Sequence, residues 1–346
     1  MPGADDLRSR VARIRYANGE QGVELLNGNR LKYRARTGGS GRGFAGVSCI
    51  YYDEAMFLTD EQVGPVTPPV VPQPPAGMPW FGASGPEAAN GSLAAQLASR
   101  TVAVGGTWAD NSIANHVSQR SIAEGGEWGA WSKPLDLAVG GVFKREGQTW
   151  GQAAAGAYEG QWVQCLTRVV TNWGQRDPGL LYLRFCHEFN GSFMDHWKIS
   201  AAERADYVAA FRRWVALQRR IIPAAKVLWP VNDGSSVGID IRSAWPGDDV
   251  VDMVSVDSYN QWPHITDASG WASKSAQVDG FGAPVGVEAW RRFAASKGKP
   301  MCVSEWSNNG DRNGQGGGGE SPFYVQAMHD WAVANAGTGA GQVAYM

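Results

Sequence analysis

Residues 180–191 read LLYLRFCHEFNG: a run of apolar and aromatic side chains, then an abrupt change to His187-Glu188-Phe189-Asn190-Gly191. Such a run, ended by turn-forming residues, reads as a buried β-strand with polar groups just past its C-terminal end. Working outward, seven more runs of this kind recur at residues 79–83, 101–105, 135–142, 226–231, 251–256, 300–304 and 342–346. Helical stretches separate them, clearest at residues 160–173, 201–222 and 322–335. Regular strand–helix alternation argues a parallel sheet, and eight repeats argue an α/β fold closed as a (β/α)8 barrel over residues 79–346. A doubly wound open sheet is the structural alternative. The sequence stops at the end of the eighth run, so the barrel is expected to lack its closing helix and to leave one face uncovered.

In a parallel barrel, chemistry gathers at the C-terminal ends of the strands. The polar residues at those ends are Arg184, His187, Glu188 and Asn190 after strand four, and Asn232 and Asp233 after strand five. Asp257, Tyr259 and Asn260 follow strand six, and Glu305 and Trp306 follow strand seven. A lone glutamate at such an end is more often an ion-pair partner than a catalyst. Glu188 and Glu305, however, end strands that face each other across a barrel mouth. Two carboxyls about 5–5.5 Å apart are what a retaining glycosidase needs, one to attack the anomeric carbon and one to hand a proton to the leaving oxygen. Trp108 and Trp306 lie near strand ends, as do Trp150, Trp229 and Trp262, where indole faces could stack on sugars. His187-Glu188 does not continue as H-E-x-x-H, which excludes a zinc protease.

The motifs RFCHEFNG, VSVDSY and VSEWS, with GTWAD, WGAWSKPLDLAVGG and VLWPVN, resemble glycoside hydrolase family 26 over residues 78–346. That family consists of (β/α)8 retaining enzymes best known as β-mannanases. The resemblance implies Glu188 as acid/base and Glu305 as nucleophile. It implies that His187 orients Glu188 or contacts the sugar, and that Tyr259 donates its hydroxyl to Glu305. Asp257 and Arg184 would keep these groups aligned. The sequence departs from the family where a tryptophan usually follows the Asn-Gly of the strand-four motif. Ser192-Phe193-Met194 stands there, leaving Phe193 and Trp197 as candidates for its place. The implied activity is endo-cleavage of a β-linked polysaccharide, mannan by default, with no cofactor and no metal. The rival readings are a barrel that binds glycan without cutting it, and an ATPase fragment.

That second rival comes from the N-terminal piece, residues 1–63, set off by the proline-rich spacer of residues 64–78. Asn27-Gly28 between two apolar runs signals a hairpin. Gly41, Gly43 and Gly46 satisfy G-x-G-x-x-G, but a strand follows where a dinucleotide fold requires a helix. Residues 48–52 run into Asp53-Glu54 like a Walker B element, and NGNRLKYRARTGGSGRGFAGVSCIYYDEA resembles the ATPase core of phage large terminase subunits. The phosphate loop G-x-x-x-x-G-K-[ST] is missing from the sequence, so this piece is expected to be inactive.

Composition sets the outer limits. With 346 residues, 43% of them apolar, a large core needs neither metal nor disulfide. A net charge of −2 gives no field to recruit nucleic acid or an acidic membrane. About half of the 16 tryptophans are expected in the core. Cys49, Cys165, Cys186 and Cys302 show no zinc spacing, and the last two read as buried thiols. The first fifteen residues are charged and lack a signal-peptide core. As written, the protein is expected to be a cytoplasmic monomer acting on polysaccharide.

Overall fold

The computed structural model describes residues 74, 77–96, 101–261, 263–308, 319 and 321–346, together with the backbone of three short strands nearer the N-terminus. The chain divides into two units, Met1–Thr67 and Pro68–Met346. In the first, Val11–Arg15 (β1), Gly22–Leu25 (β2) and Arg30–Lys32 (β3) form an antiparallel sheet in that order. β2 and β3 pair with Val23 opposite Leu31, while Asn27-Gly28 lies outside the described residues. β1 was not legible in the sequence. Cys49, the Walker-like Asp53-Glu54, most of the proline spacer, Trp262 and the glycine-rich stretch 311–318 lie outside the described residues.

The second unit holds seven strands: Gly82–Ser84 (β4), Val104–Trp108 (β5), Leu135–Ala138 (β6), Leu181–Arg184 (β7), Lys226–Asn232 (β8), Met253–Asn260 (β9) and Met301–Asn308 (β10). They pair in sequence order, every neighbour parallel. The eighth run forms no ladder strand, but its backbone closes the ring. Trp80 N–H donates to Ala344 O (3.0 Å) and Gly82 N–H to Met346 O (2.7 Å) on the β4 side. Met301 N–H donates to Gln342 O (2.8 Å) and Val303 N–H to Tyr345 O (3.0 Å) on the β10 side. An open doubly wound sheet would leave both edges unpaired.

Around the ring lie Pro86–Ala89 (α1), Ile113–Ser118 (α2), Trp150–Ala154 (α3), Glu159–Trp173 (α4), Arg204–Ile221 (α5), Ala268–Ser275 (α6), Val287–Ser296 (α7) and Pro322–Ala334 (α8). Between β8 and β9 stands only a 3-10 turn, Ile241–Ala244. Helices cover the outside of the sheet with a large apolar core. A smaller cluster, Val104, Tyr182, Leu228, Met253, Cys302 and Tyr345, fills the inside. The period of two along each strand divides these sets: in β7, Leu181 and Leu183 join the outer core while Tyr182 faces inward. Cys165, Cys186 and Cys302 are buried free thiols.

Most strand boundaries differ from those read in the sequence; β9 and β10, for example, each run four residues further, to Asn260 and Asn308. β5 starts at Val104 and runs on through Gly105-Gly106 to Trp108, three residues past the end of the run at 101–105. A Cβ on Gly105 would come within 2.2 Å of the Trp128 ring, so glycine is here the residue that lets an indole pack against a strand. β6 ends at Ala138, four residues early, because Gly140 turns the chain with φ 69°. Gly141 then passes so close to Phe185 that a Cβ would lie 1.9 Å from its ring.

Candidate active site

The site begins where β7 leaves the sheet. β7 pairs with β8 as far as Arg184 opposite Leu228, short of Pro230, which has no N–H for the ladder. Phe185 goes outward into an aromatic nest with Trp162, Phe211 and Trp214 at ring distances of 5.6, 5.9 and 5.1 Å. Burying such a side chain is worth about 1.5–3 kcal/mol, which anchors the turn that follows. In that turn Cys186 and Glu188 adopt φ of 53° and 52°. Left-handed backbone at non-glycine residues costs on the order of 1–3 kcal/mol and persists only where neighbours over-determine it. Here they do. Glu188 N–H donates to Pro230 O (3.1 Å), Trp197 Nε1 donates to His187 O (2.6 Å), and Asn190 and Asn232 clasp each other at 2.8 and 2.9 Å.

Glu305, within β10, is held from both sides. Its Oε1 accepts from Arg184 Nη1 (2.7 Å) and Trp108 Nε1 (2.8 Å), and its Oε2 from the Tyr259 hydroxyl (2.9 Å). Arg184 is fully buried and also binds Asp136 Oδ1 (2.6 Å), with Asp257 Oδ2 at 3.5 Å. Burial by itself would push the Glu305 carboxyl up. The Arg184 charge, the His187 charge and the hydrogen bonds from Arg184 and Trp108 overturn that and pull it down to about 2.

Glu188 lies in the opposite regime. It is 8% exposed. One donor, Asn232 Nδ2, reaches its Oε1 at 2.6 Å. Burial raises its pKa, the negative charge of Glu305 adds to the rise, and His187, Asn232 and Arg184 only partly offset it. Two carboxyls that feel each other's charge are thus driven apart, one ionised and one inclined to keep its proton. Asp257, buried among Glu305, Glu188 and Asp136, is likewise pushed well up. The arrangement can present a fixed anion and a proton donor at one barrel mouth.

A cleft of about 240 Å³ opens beside Glu305, lined by Ser84, Gly106, Trp108, Asp136, Tyr259 and Trp306 among others. Glu188, His187, Asn190 and Asn232 stand outside that lining, toward β7 and β8. Trp108 is 39% exposed and lies over the Arg184 guanidinium, 5.6 Å from ring centre to carbon. Trp306 is half-buried against Tyr324. For Trp150 and Trp229 core packing, the equal alternative to sugar stacking, is what the structure shows: both are fully buried in the outer core and have no face for a sugar. Of the two candidates in the departed motif, Trp197 is buried at 1% exposure beneath His187, whereas Phe193 is exposed at 58%.

Two acids escaped the sequence reading. Asp136 sits in the apolar strand LDLA and takes Arg184 on one oxygen and the Tyr345 hydroxyl (2.8 Å) on the other. A charge inside an otherwise apolar strand was its available signal. Asp110, two residues past β5, lies 2.9 Å from His187 Nδ1; nothing in its local sequence distinguished it from a turn aspartate. Among the described residues no group of His, Cys, Asp and Glu could hold a metal.

No family model matches the chain. Endoglucanase H of Acetivibrio thermocellus is 31% identical over 135 residues, which cover 37% of this chain and 14% of that protein. Among solved structures, a double mutant of the Cellulomonas fimi endo-β-1,4-mannanase superposes with a TM-score of 0.51 at 18% identity, covering 78% of this chain and 64% of that one. The catalytic domain of the GH26 endo-β-1,4-mannanase of Bacillus sp. JAMB-750 gives 0.49 at 14% identity, covering 78% and 76%. The likeness to the Cellulomonas structure is one of fold: a curled parallel sheet wrapped by helices. The chain spans a small part of the endoglucanase and about two thirds of that mannanase.

Proposed function

We propose that the protein is a retaining β-glycosidase acting on a β-linked polysaccharide, with Glu305 as nucleophile and Glu188 as acid/base. The observation that carries this reading is the opposed electrostatics of the two glutamates, since environments that drive two acids apart assign their roles. Oε1 of Glu305 already accepts two hydrogen bonds and Oε2 only one, so Oε2 is the oxygen with a lone pair to spare. It attacks the anomeric carbon as the bond to the leaving oxygen breaks and Glu188 delivers its proton there. Glu188, now ionised, takes a proton from water, and the resulting hydroxide displaces Glu305. Retention is favoured over inversion on basicity. A carboxyl at about 2 has little drive to deprotonate water, as an inverting base must, but stays ionised for attack and departs readily. The cleft beside Glu305 receives the sugar under attack, and the leaving portion lies toward Glu188.

The substrate class rests on the relatives, named as mannanases and an endoglucanase. Mannan is the first choice and β-1,4-glucan the second. The test is release of reducing ends from mannan, glucomannan, β-glucans and xylan, with proton NMR of the first anomer formed. The β-anomer is expected first; the α-anomer would establish inversion. E305A is expected to abolish turnover. E188A should lose about 10²–10⁴-fold and recover with azide and an activated aryl leaving group. Binding without cleavage of any member of the panel would replace the enzyme with a glycan-binding barrel.

A further inference from the structure

We propose that Asp110 is a positioning residue that holds His187 as a cation against both glutamates. The proposal rests on the glycosidase reading only for its effect on turnover. Its geometry stands by itself. Asp110 Oδ2 lies 2.9 Å from His187 Nδ1, with the two side chains 6% and 9% exposed. The backbone is shaped for this approach. Ala109 N–H is tied to Ala138 O at 2.8 Å, and a Cβ on Gly140 would come 3.0 Å from the Asp110 Cβ. On another side the Trp197 ring meets the imidazole edge-on at 5.3 Å, while its Nε1 donates to the His187 carbonyl. The imidazole is therefore fixed in place as well as paired.

Burial would strip the His187 proton; the Asp110 charge 2.9 Å away, helped by Glu305 and opposed by Arg184, restores it and raises the group overall. The other titratable groups facing this pair do not compete for Asp110. His116 of α2 is held down to about 4 by burial, its Nδ1 against Val139 O. Burial raises the Cys186 thiol, which stays neutral, and burial with Arg145 lowers His196. Hence the imidazolium is left as the buried cation that, beside Arg184, lowers both Glu305 and Glu188. Through it Asp110 helps keep the nucleophile ionised, and it limits how far the acid rises.

The experiment is an imidazole NMR titration of the folded full-length protein and of D110N, beside pH–rate profiles of both. In the wild type His187 is expected to titrate above the ordinary 6.5; in D110N its midpoint should fall by about 1–3 units. Without the cation Glu188 rises, so the alkaline limb of D110N should move to higher pH. A role confined to packing would lower kcat and leave midpoint and limb in place. A wild-type midpoint at or below 6.5 overturns the proposal even if D110N does not fold, as does an unchanged midpoint in a folded D110N. A shifted midpoint in a protein that cleaves no glycan sinks the glycosidase reading and leaves the Asp110–His187 assignment standing.

Discussion

At the scale of residues, the site is one buried guanidinium distributing charge. Arg184 touches Asp136, Glu305 and the edge of Asp257, and these acids hold its own pKa far up against the burial that would lower it. The asymmetry of the two glutamates follows: Glu305 has the direct cation, and Glu188 has an amide. The expected pH–rate profile is therefore lopsided, falling above the raised pKa of Glu188 and flat on the acid side until about 2, where Glu305 protonates. Asn232→Ala removes the sole hydrogen bond described at the Glu188 carboxyl. A hydrogen bond to a charged group contributes about 1.5–3 kcal/mol, or about one to two pKa units. Its loss destabilises ionised Glu188, so the alkaline limb should move upward by that amount; a limb that stays or moves down would refute this account. The glutamates, Arg184, Tyr259 and Asn232 could be nominated from strand ends and motifs. Asp110 could not, because its role exists only once β5 and the turn after β7 are brought side by side.

Elements were legible where side chains carry the signal and poorly legible where their absence does. The helices at 160–173, 201–222 and 322–335 recur within a few residues as α4, α5 and α8: the first two are long amphipathic patterns that fix their own faces, and the third, apolar on most sides, is opened by the Ser321 cap and Pro322 at its first turn. The run at 101–105 stops short of the strand's true end at Trp108, because glycines carry no side-chain pattern to extend it and only the Trp128 ring explains Gly105. Paired substitutions test that explanation. Gly105→Ala drives a methyl into Trp128 and should destabilise by about 1–3 kcal/mol, read as a lower urea midpoint with unchanged slope. At Gly106 the nearest atom to a new Cβ is 3.8 Å away, so Gly106→Ala should leave that midpoint in place while it narrows the cleft. Equal midpoints for the two variants would remove the packing argument.

For the whole molecule, buried acids set how stability varies with pH. Asp233, adjoining Asn232, is raised to about 6, first by burial; the Ser258 hydroxyl at 2.6 Å and Lys274 oppose the rise, and the Glu188 charge adds to it. An acid raised on folding binds its proton more tightly in the native state. Its contribution is thus complete below the unfolded value near 3.9 and is lost as pH rises through 6. Glu305 and Glu288, both lowered to about 2, act in the reverse sense and lose their contribution as pH falls from about 4 toward 2. Thermal stability should therefore peak in mild acid. Asp233→Asn should raise Tm at pH 7, by on the order of 2 kcal/mol in stability, and flatten the decline between pH 4 and 6. A variant less stable than wild type at pH 7 would show that the Asp233 charge is needed there.

The sequence alone determined the parallel strand–helix order, the strands whose ends face each other, and the two glutamates on them. Those features follow from periodicities of two and 3.6 and from polar residues placed where apolar runs stop. Tertiary structure alone decided which of many tryptophans are core, which acid meets the guanidinium, and how the last run completes the ring through backbone hydrogen bonds without forming a ladder strand. Each of those outcomes depends on distances between residues far apart in the chain. A carboxyl's protonation is governed by what lies within a few ångströms of it, and that is settled only when the barrel closes.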